Sequence, residues 1–206
     1  MQLGDLRGWM AGHDAVVVGC GPSGITDATH RGHALKYEYA EHWTIGCNRA
    51  VQFCDPDFAV CIEPFRDPIW PIMREASPLA VLAHIHLDRR GKSPHPRIVK
   101  MSGKDVLRWI SDKPADLPNV SGSHPLIVGQ SPFFGLAFAV MMGFETIGLI
   151  GVDLTPDRYP DAKPSNNGYG KLNTIAKHMG SRIINLNPES RLRAFEFGGW
   201  EEIRTK

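Results

Sequence analysis

The chain has 206 residues, which allows one full domain with at most a small appendage. A composition of 42% hydrophobic and 22% charged residues excludes wholesale disorder. The balance of 23 Lys and Arg against 22 Asp and Glu excludes a general nucleic-acid backbone binder, which carries a basic excess.

The opening MQLGDLRGWMAG lacks a charged stretch followed by an apolar core, so no signal peptide is expected and the setting reads as cytoplasmic. Short apolar runs bounded by Gly, Pro or Asn come next in order. Residues 15–19 (AVVVG), 43–47 (WTIGC), 58–62 (FAVCI), 79–83 (LAVLA), 125–129 (PLIVG), 146–152 (TIGLIGV) and 182–186 (RIINL) predict strands. Continuous apolar runs, rather than strict alternation, predict strands covered on both faces. Helical signals fall between them. The strongest spans 131–142, with Ser131 as N-cap, Pro132 at the first helical position and Gly143 as the stop. Its body is apolar all round and should be buried. Weaker helices are expected at 70–76, 104–111 and 171–179. Alternating strands and helices predict an α/β fold: an open, mainly parallel sheet with helices on both faces, in a single domain over 1–206.

Two stretches read as loops. Residues 89–97 (RRGKSPHPR) are basic and contain prolines. Residues 154–170 (LTPDRYPDAKPSNNGYG) carry proline, asparagine and glycine turn signals, and a loop of that length suits a lid or binding loop, with a disordered insert as the alternative. The apolar stretch 132–144 is too short to cross a membrane, which takes about 20 residues. Cysteines 20, 47, 54 and 61 form no Cys-x-x-Cys pair, so a zinc ribbon or redox motif is unsupported and free thiols are expected.

Gly19-Cys-Gly-Pro-Ser-Gly24 matches G-x-G-x-x-G after a strand, a pattern that lets a phosphate approach backbone N–H groups. It also looks like the opening of flavin-dependent oxidoreductases. The surroundings do not fit NAD or FAD. Residues 25–33 (ITDATHRGH) lack a helical apolar stripe, and the second strand ends in Asn48-Arg49 rather than an acid. A phosphate or nucleotide cradle of another kind is the expectation, with a structural Gly-rich turn as the alternative. Gly91-Lys92-Ser93 is no ATP-binding P-loop, because His86 stands where that motif needs glycine. His84 and His86 with Asp88 and His95 are weighed as a metal site and set behind ordinary polar residues near a sheet edge.

Ligands of open parallel sheets bind at the carboxyl ends of the strands. The residues there are Gly19, Gly21, Pro22 and Ser23 after the first strand, Asn48 and Arg49 after the second, and Glu63 after the third. Gln130 and Ser131 open the buried helix, and Asp153 comes after the sixth run. Helix N-termini favour anions, which makes Ser131 a phosphate candidate. Asp153 could hold Mg²⁺ with phosphates, or cap a turn by bonding backbone N–H groups over 154–157. Gly21→Val is expected to abolish nucleotide binding and leave the fold intact.

Four segments, VVVGCGPSG, IGCNRA with DFAVCIEP, SPFFGLAFAVMMGFETIGLIGVDLT, and IINLNPESRLRAF, resemble the MptE-like 6-hydroxymethylpterin diphosphokinase family. The same order is similar, more distantly, to the bacterial CMP-sialic acid sialyltransferases. Both resemblances imply a Rossmann-like nucleotide-dependent transferase with a nucleotide or nucleotide-activated donor and a small-molecule acceptor. The balanced charge and the short apolar stretches separately predict no nucleic-acid partner and no membrane insertion. The first resemblance implies Mg²⁺ near Asp153 and the triphosphate. The second implies a tyrosine pair assisting the leaving phosphate, for which Tyr159 and Tyr169 are candidates. It also implies a histidine base, and His178 falls too late for that role. Glu63 and Cys20 stand where that family has asparagine. The alternative is a non-catalytic nucleotide or sugar-nucleotide binding module of the same fold.

Overall fold

A computed structural model of the chain describes residues 6–24, 41–54, 56–61 and 130–206, and the backbone of 80–84 and 98–101. The strands are β1 (Ala15–Val18), β2 (Trp43–Cys47), β3 (Phe58–Cys61), β4 (Ala80–His84), β5 (Ile98–Met101), β6 (Thr146–Ile150), β7 (Arg182–Asn185) and β8 (Glu196–Phe197). They form one open sheet in the order β5-β4-β3-β2-β1-β6-β7-β8. Every adjacent pair is parallel. The fold is therefore the expected Rossmann-like α/β sheet, and six of the predicted apolar runs form strands. β5 and β8 carry no strong sequence signal. The run at 125–129 and the helices at 70–76 and 104–111 lie outside the described residues, as do Glu63 and the loop at 89–97.

The apolar runs are continuous because the central strands are covered on both sides. All four residues of β1 are fully buried. Ala15 and Val17 join one apolar cluster with Ile45, Phe58, Leu149 and the helices. Val16 and Val18 join another with Ala50, Cys54, Ile184 and Ile203. Successive side chains point to opposite faces of a strand, so this split is the pleat itself.

The described helices are α1 (Val51–Cys54), α2 (Ser131–Met142) and α3 (Lys163–His178). The bounds of α2 match the sequence reading, and all of it except Pro132 is buried. Its start differs in detail: Gln130 is the N-cap and Ser131 is already helical. The Ser131 hydroxyl is drawn away from capping by Asn48, to which it donates at 2.8 Å. At the other end Gly143 is left-handed, φ 87°. Phe144 N donates to Ala139 O at 3.3 Å, closing the turn.

The long loop expected over 154–170 is shorter. α3 begins at Lys163, so only 154–162 remains irregular. Pro164 sits in the first helical turn, where its missing N–H costs nothing. Ser165, Gly168, Tyr169, Leu172, Ile175 and Ala176 are buried at three- and four-residue spacing. That stripe outweighs the turn preference of Asn166, Asn167 and Gly170.

At the opposite edge of the sheet, Asp14 ties both ends of the described chain together. Its carboxylate accepts from Thr146 N at 3.0 Å and from Arg204 N and Nε, both at 2.9 Å, with Arg204 Nη2 at 2.6 Å. Burial pushes the Asp14 carboxyl upward, but the bonds from Arg204 and Thr146 outweigh it and leave it below the ordinary aspartate range. A depressed folded value stabilises above the unfolded pKa and is lost as pH falls through the folded one. Acid unfolding from this group therefore belongs below about pH 3.9. Arg204→Met leaves the desolvation without its compensation, so acid unfolding monitored by circular dichroism should begin at higher pH. An unchanged acid midpoint would count against this role.

Candidate functional site at the carboxyl edge

The chain reverses direction across the sheet between β1 and β6, which are neighbours there. In open parallel sheets ligands bind at such a switch point. The backbone leaving β2 and β6 at this edge is locally irregular. Among the described residues, the two non-glycine residues with positive φ are Asn48 (54°) and Leu154 (51°). One directly succeeds β2 and the other lies just beyond β6. Asn tolerates this region, but a buried leucine there is an outlier, and such strain costs about 1–3 kcal/mol and clusters at functional sites.

The glycine turn after β1 is locked to the turn after β6. Gly19 N donates to Ile150 O at 2.8 Å and Gly21 N to Gly151 O at 2.7 Å. A Cβ on Gly21 would stand 2.6 Å from both Asp153 Oδ2 and Gly151 O. The expectation that Gly21→Val spares the fold is thereby corrected: the space around Gly21 is filled by this chain's own backbone. Gly24 N donates to Gly21 O at 3.0 Å and Ser23 N to Asp153 Oδ2 at 2.8 Å. The N–H groups of Gly19, Gly21, Ser23 and Gly24 are thus used within the protein. Cys20, Gly21 and Ser23 are half-buried, and Pro22 is exposed.

Asp153 is the centre of this lock. Its Oδ1 accepts the Ser23 hydroxyl at 2.5 Å and the Asn187 amide at 2.7 Å. The Ser23 hydroxyl in turn accepts from Gly151 N at 3.0 Å. A carboxylate has about four acceptor positions, and three here are filled by donors from residues 23 and 187. The turn-cap role considered from sequence does not match this pattern, since the bonds go to Ser23 and Asn187 and not to the backbone N–H groups of 154–157. Among the described residues no cluster of three or more His, Cys, Asp or Glu is placed to hold a metal. Asp153 thus brings a single carboxylate to this edge, with three of its acceptor positions taken by Ser23 and Asn187.

Asn48 and Ser131 meet on the other side of the glycine turn through the 2.8 Å bond. Cys20 Sγ donates to Cys47 O at 3.1 Å. Burial pushes the Cys20 thiol up, while the backbone N–H groups of Ala50 and Arg49 and the charges of Arg49 and Arg158 oppose it. Arg49 and Arg158 are both exposed. All four cysteines are free thiols. At the start of α2, Pro132 supplies no N–H, and Phe133 N is turned back onto Gln130 O at 3.1 Å.

The two tyrosines separate. Tyr169 is fully buried on α3 between Phe133 and Phe195. Its hydroxyl donates to Gln130 Oε1 at 3.0 Å. Burial pushes the Tyr169 hydroxyl well up, with smaller contributions from Cys47 and Tyr159. It is a core residue and not a lid residue. Tyr159 stays on the irregular loop, its ring partly buried against the core. His178 is exposed at the end of α3. The sequence reading missed Asn187, Ser190 and Arg191, which lie after β7 and reach the loop after β6. The polar run Asn187-Pro-Glu-Ser-Arg191 directly after a buried strand was the available signal.

An open parallel sheet with polar turns at its switch point defines a Rossmann-like α/β architecture. The same fold occurs in the sialyltransferase CstII from Campylobacter jejuni in complex with CMP-3FNeuAc, a substrate analogue. The identity is 16%, covering 89% of this chain and 84% of that one, with a TM-score of 0.53. It occurs likewise in a point mutant of the alpha-2,3/8-sialyltransferase CstII, with 16% identity, 89% and 85% coverage and a TM-score of 0.55. A third is CstII in complex with a trisaccharide acceptor and CMP, with 15% identity, the same coverage and a TM-score of 0.55. At such identity the likeness is one of fold. No protein-family model and no curated protein matches the chain, so the diphosphokinase resemblance finds no support there. Among the described residues no helix is long and apolar enough to cross a membrane.

Proposed function

We propose that the chain binds a nucleotide-activated sugar at the carboxyl edge of β1, β2 and β6 and transfers its glycosyl group. The observation that carries this reading is the strained, polar switch point, in a sheet that aligns with CMP-binding sialyltransferases over most of both chains. Asn48 and Ser131 hold the nucleotide. Arg49 and Arg158 offset the charge of its phosphate, and the Tyr159 hydroxyl donates to the leaving phosphate oxygen. Gly19, Gly21, Pro22 and Ser23 shape the turn between them. In the transfer, the bond from the sugar's anomeric carbon to the phosphate oxygen breaks, and the nucleotide leaves with the electron pair. The acceptor hydroxyl oxygen bonds to that carbon and gives its proton to a base. Glu63, kept from the sequence reading as a nucleotide contact, lies outside the described residues. Mg²⁺ has no step in this scheme.

One observation favours the second reading, a binding module without chemistry. Asp153, the carboxylate at the switch point, is engaged by Ser23 and Asn187 and so is poorly placed to act as base. Calorimetry with CMP, a CMP-activated sugar and ATP, each with and without Mg²⁺, tests both. The transferase reading expects CMP and the CMP-sugar to bind without Mg²⁺, and CMP to be released when an acceptor sugar is added. Binding without release supports the module. Binding of ATP alone, or binding only with Mg²⁺, overturns the reading.

A further inference from the structure

We infer that Arg191 is the positioning residue of this site: it fastens loop 154–160 across the carboxyl edge and thereby fixes where Arg158 and Tyr159 stand. The inference rests on the donor-site reading above. Arg191 N donates to Asp153 O at 3.0 Å. Its Nη1 donates to Leu154 O at 3.1 Å and to Tyr159 O at 2.9 Å, and Nη2 lies 3.4 Å from Pro160 O. One guanidinium thus joins the strained start of the loop to its far end. Its side-chain partners among the described residues are backbone carbonyls of this loop.

Arg191 is itself held. Asn166 on α3 donates to Arg191 O at 3.1 Å and accepts from Arg193 N at 2.6 Å. The neighbouring Ser190 hydroxyl donates to Val152 O at 2.8 Å. The ends of β6 and β7 and the first turn of α3 therefore form the frame from which the guanidinium reaches. A planar fork with five donors can serve several carbonyls at once, whereas a lysine ammonium is a point charge on a flexible stem. What the loop carries gives this fastening its meaning. Tyr159 packs against the core cluster that holds Phe133 and Tyr169, and its neighbour Arg158 is exposed.

The test compares wild type with Arg191→Lys and Arg191→Ala. Trypsin cuts the Arg158–Tyr159 bond only when the loop detaches and extends. Cleavage there, monitored by mass spectrometry, is expected to accelerate about tenfold in both variants, with CMP affinity falling by about the same factor. Cleavage at Lys177–His178 in α3 reports opening of the surrounding fold and should stay constant. Adding Tyr159→Ala to Arg191→Ala should cause no further loss of CMP affinity, because the tyrosine then already lacks its position. An unchanged cleavage rate at Arg158 overturns the inference. So does equal acceleration at Lys177 in Arg191→Lys, faster cleavage with unaltered CMP affinity, or losses that simply add. If wild type binds no CMP, the donor-site reading fails, and the ratio of the two cleavage rates alone decides whether Arg191 fastens the loop.

Discussion

Gly151→Ala is expected to lower the melting temperature by roughly 4–20 °C, corresponding to about 2–5 kcal/mol in a chain of this size. Two separate costs combine. Gly151 has φ 74°, a conformation that costs an L-residue about 1–2 kcal/mol. Its missing side chain is also required by the neighbour: a Cβ there would stand well inside 3.0 Å of Gly19 O and Gly19 C, and 3.1 Å from Gly19 Cα. Those are backbone atoms held by the β1–β6 ladder, so they cannot swing aside as a side chain would. Overpacking of this kind adds about 1–3 kcal/mol. Gly180 supplies the control. It has φ 83° with nothing within 4 Å of its Cβ position. Gly180→Ala should show the conformational cost alone, or roughly 2–8 °C. Equal shifts for the two variants, measured by calorimetric melting, would show that the interlock of the two turns contributes nothing.

Asp153→Ala should lower the melting temperature by roughly 6–12 °C, about 3 kcal/mol, and leave any Mg²⁺ dependence of nucleotide binding unchanged. The carboxylate serves the Ser23 N–H, the Ser23 hydroxyl and the Asn187 amide at 2.5–2.8 Å. Bonds to a charged group contribute about 1.5–3 kcal/mol, and half-buried donors left without a partner add part of their desolvation cost. Asp153→Asn is the milder variant. Its amide offers one acceptor oxygen, so the Ser23 N–H or the pair on Oδ1 loses its partner, and about half the loss is expected. A Mg²⁺ ligand behaves in the opposite way. Asp153→Asn would then weaken Mg²⁺-linked nucleotide affinity about tenfold, near 1.4 kcal/mol, with the melting temperature unmoved. That second pattern would defeat the account of Asp153 as the lock between turns.

Much of the fold was legible because burial writes itself into local composition. β1, β2, β3, β6 and β7 are short apolar runs since both faces of the central sheet are covered. The α2 helix announced its ends through Ser131-Pro132 and Gly143. α3 was partly hidden, because Asn166, Asn167, Gly168 and Gly170 have turn preferences that only packing overrides. Its buried stripe at Ser165, Gly168, Tyr169, Leu172 and Ile175 decides against them.

The sequence alone located the edge on which the candidate site lies, since each polar group there succeeds an apolar strand. It did not determine what those groups bond to. Ser131 reads as a helix cap until Asn48 is brought beside it, and Tyr169 reads as a loop residue until α3 turns it into the core. The glycines of the turn read as space left for a phosphate, whereas Gly19 and Gly21 are small because the turn after β6 lies against them. Asp153 reads as a free carboxylate until Ser23 and Asn187, 130 and 34 residues away along the chain, converge on it. Apolar runs carry their own burial because hydrophobic transfer depends on the residue itself. A hydrogen bond has two ends, and when the far end arrives through a crossover between strands, only the tertiary structure supplies it.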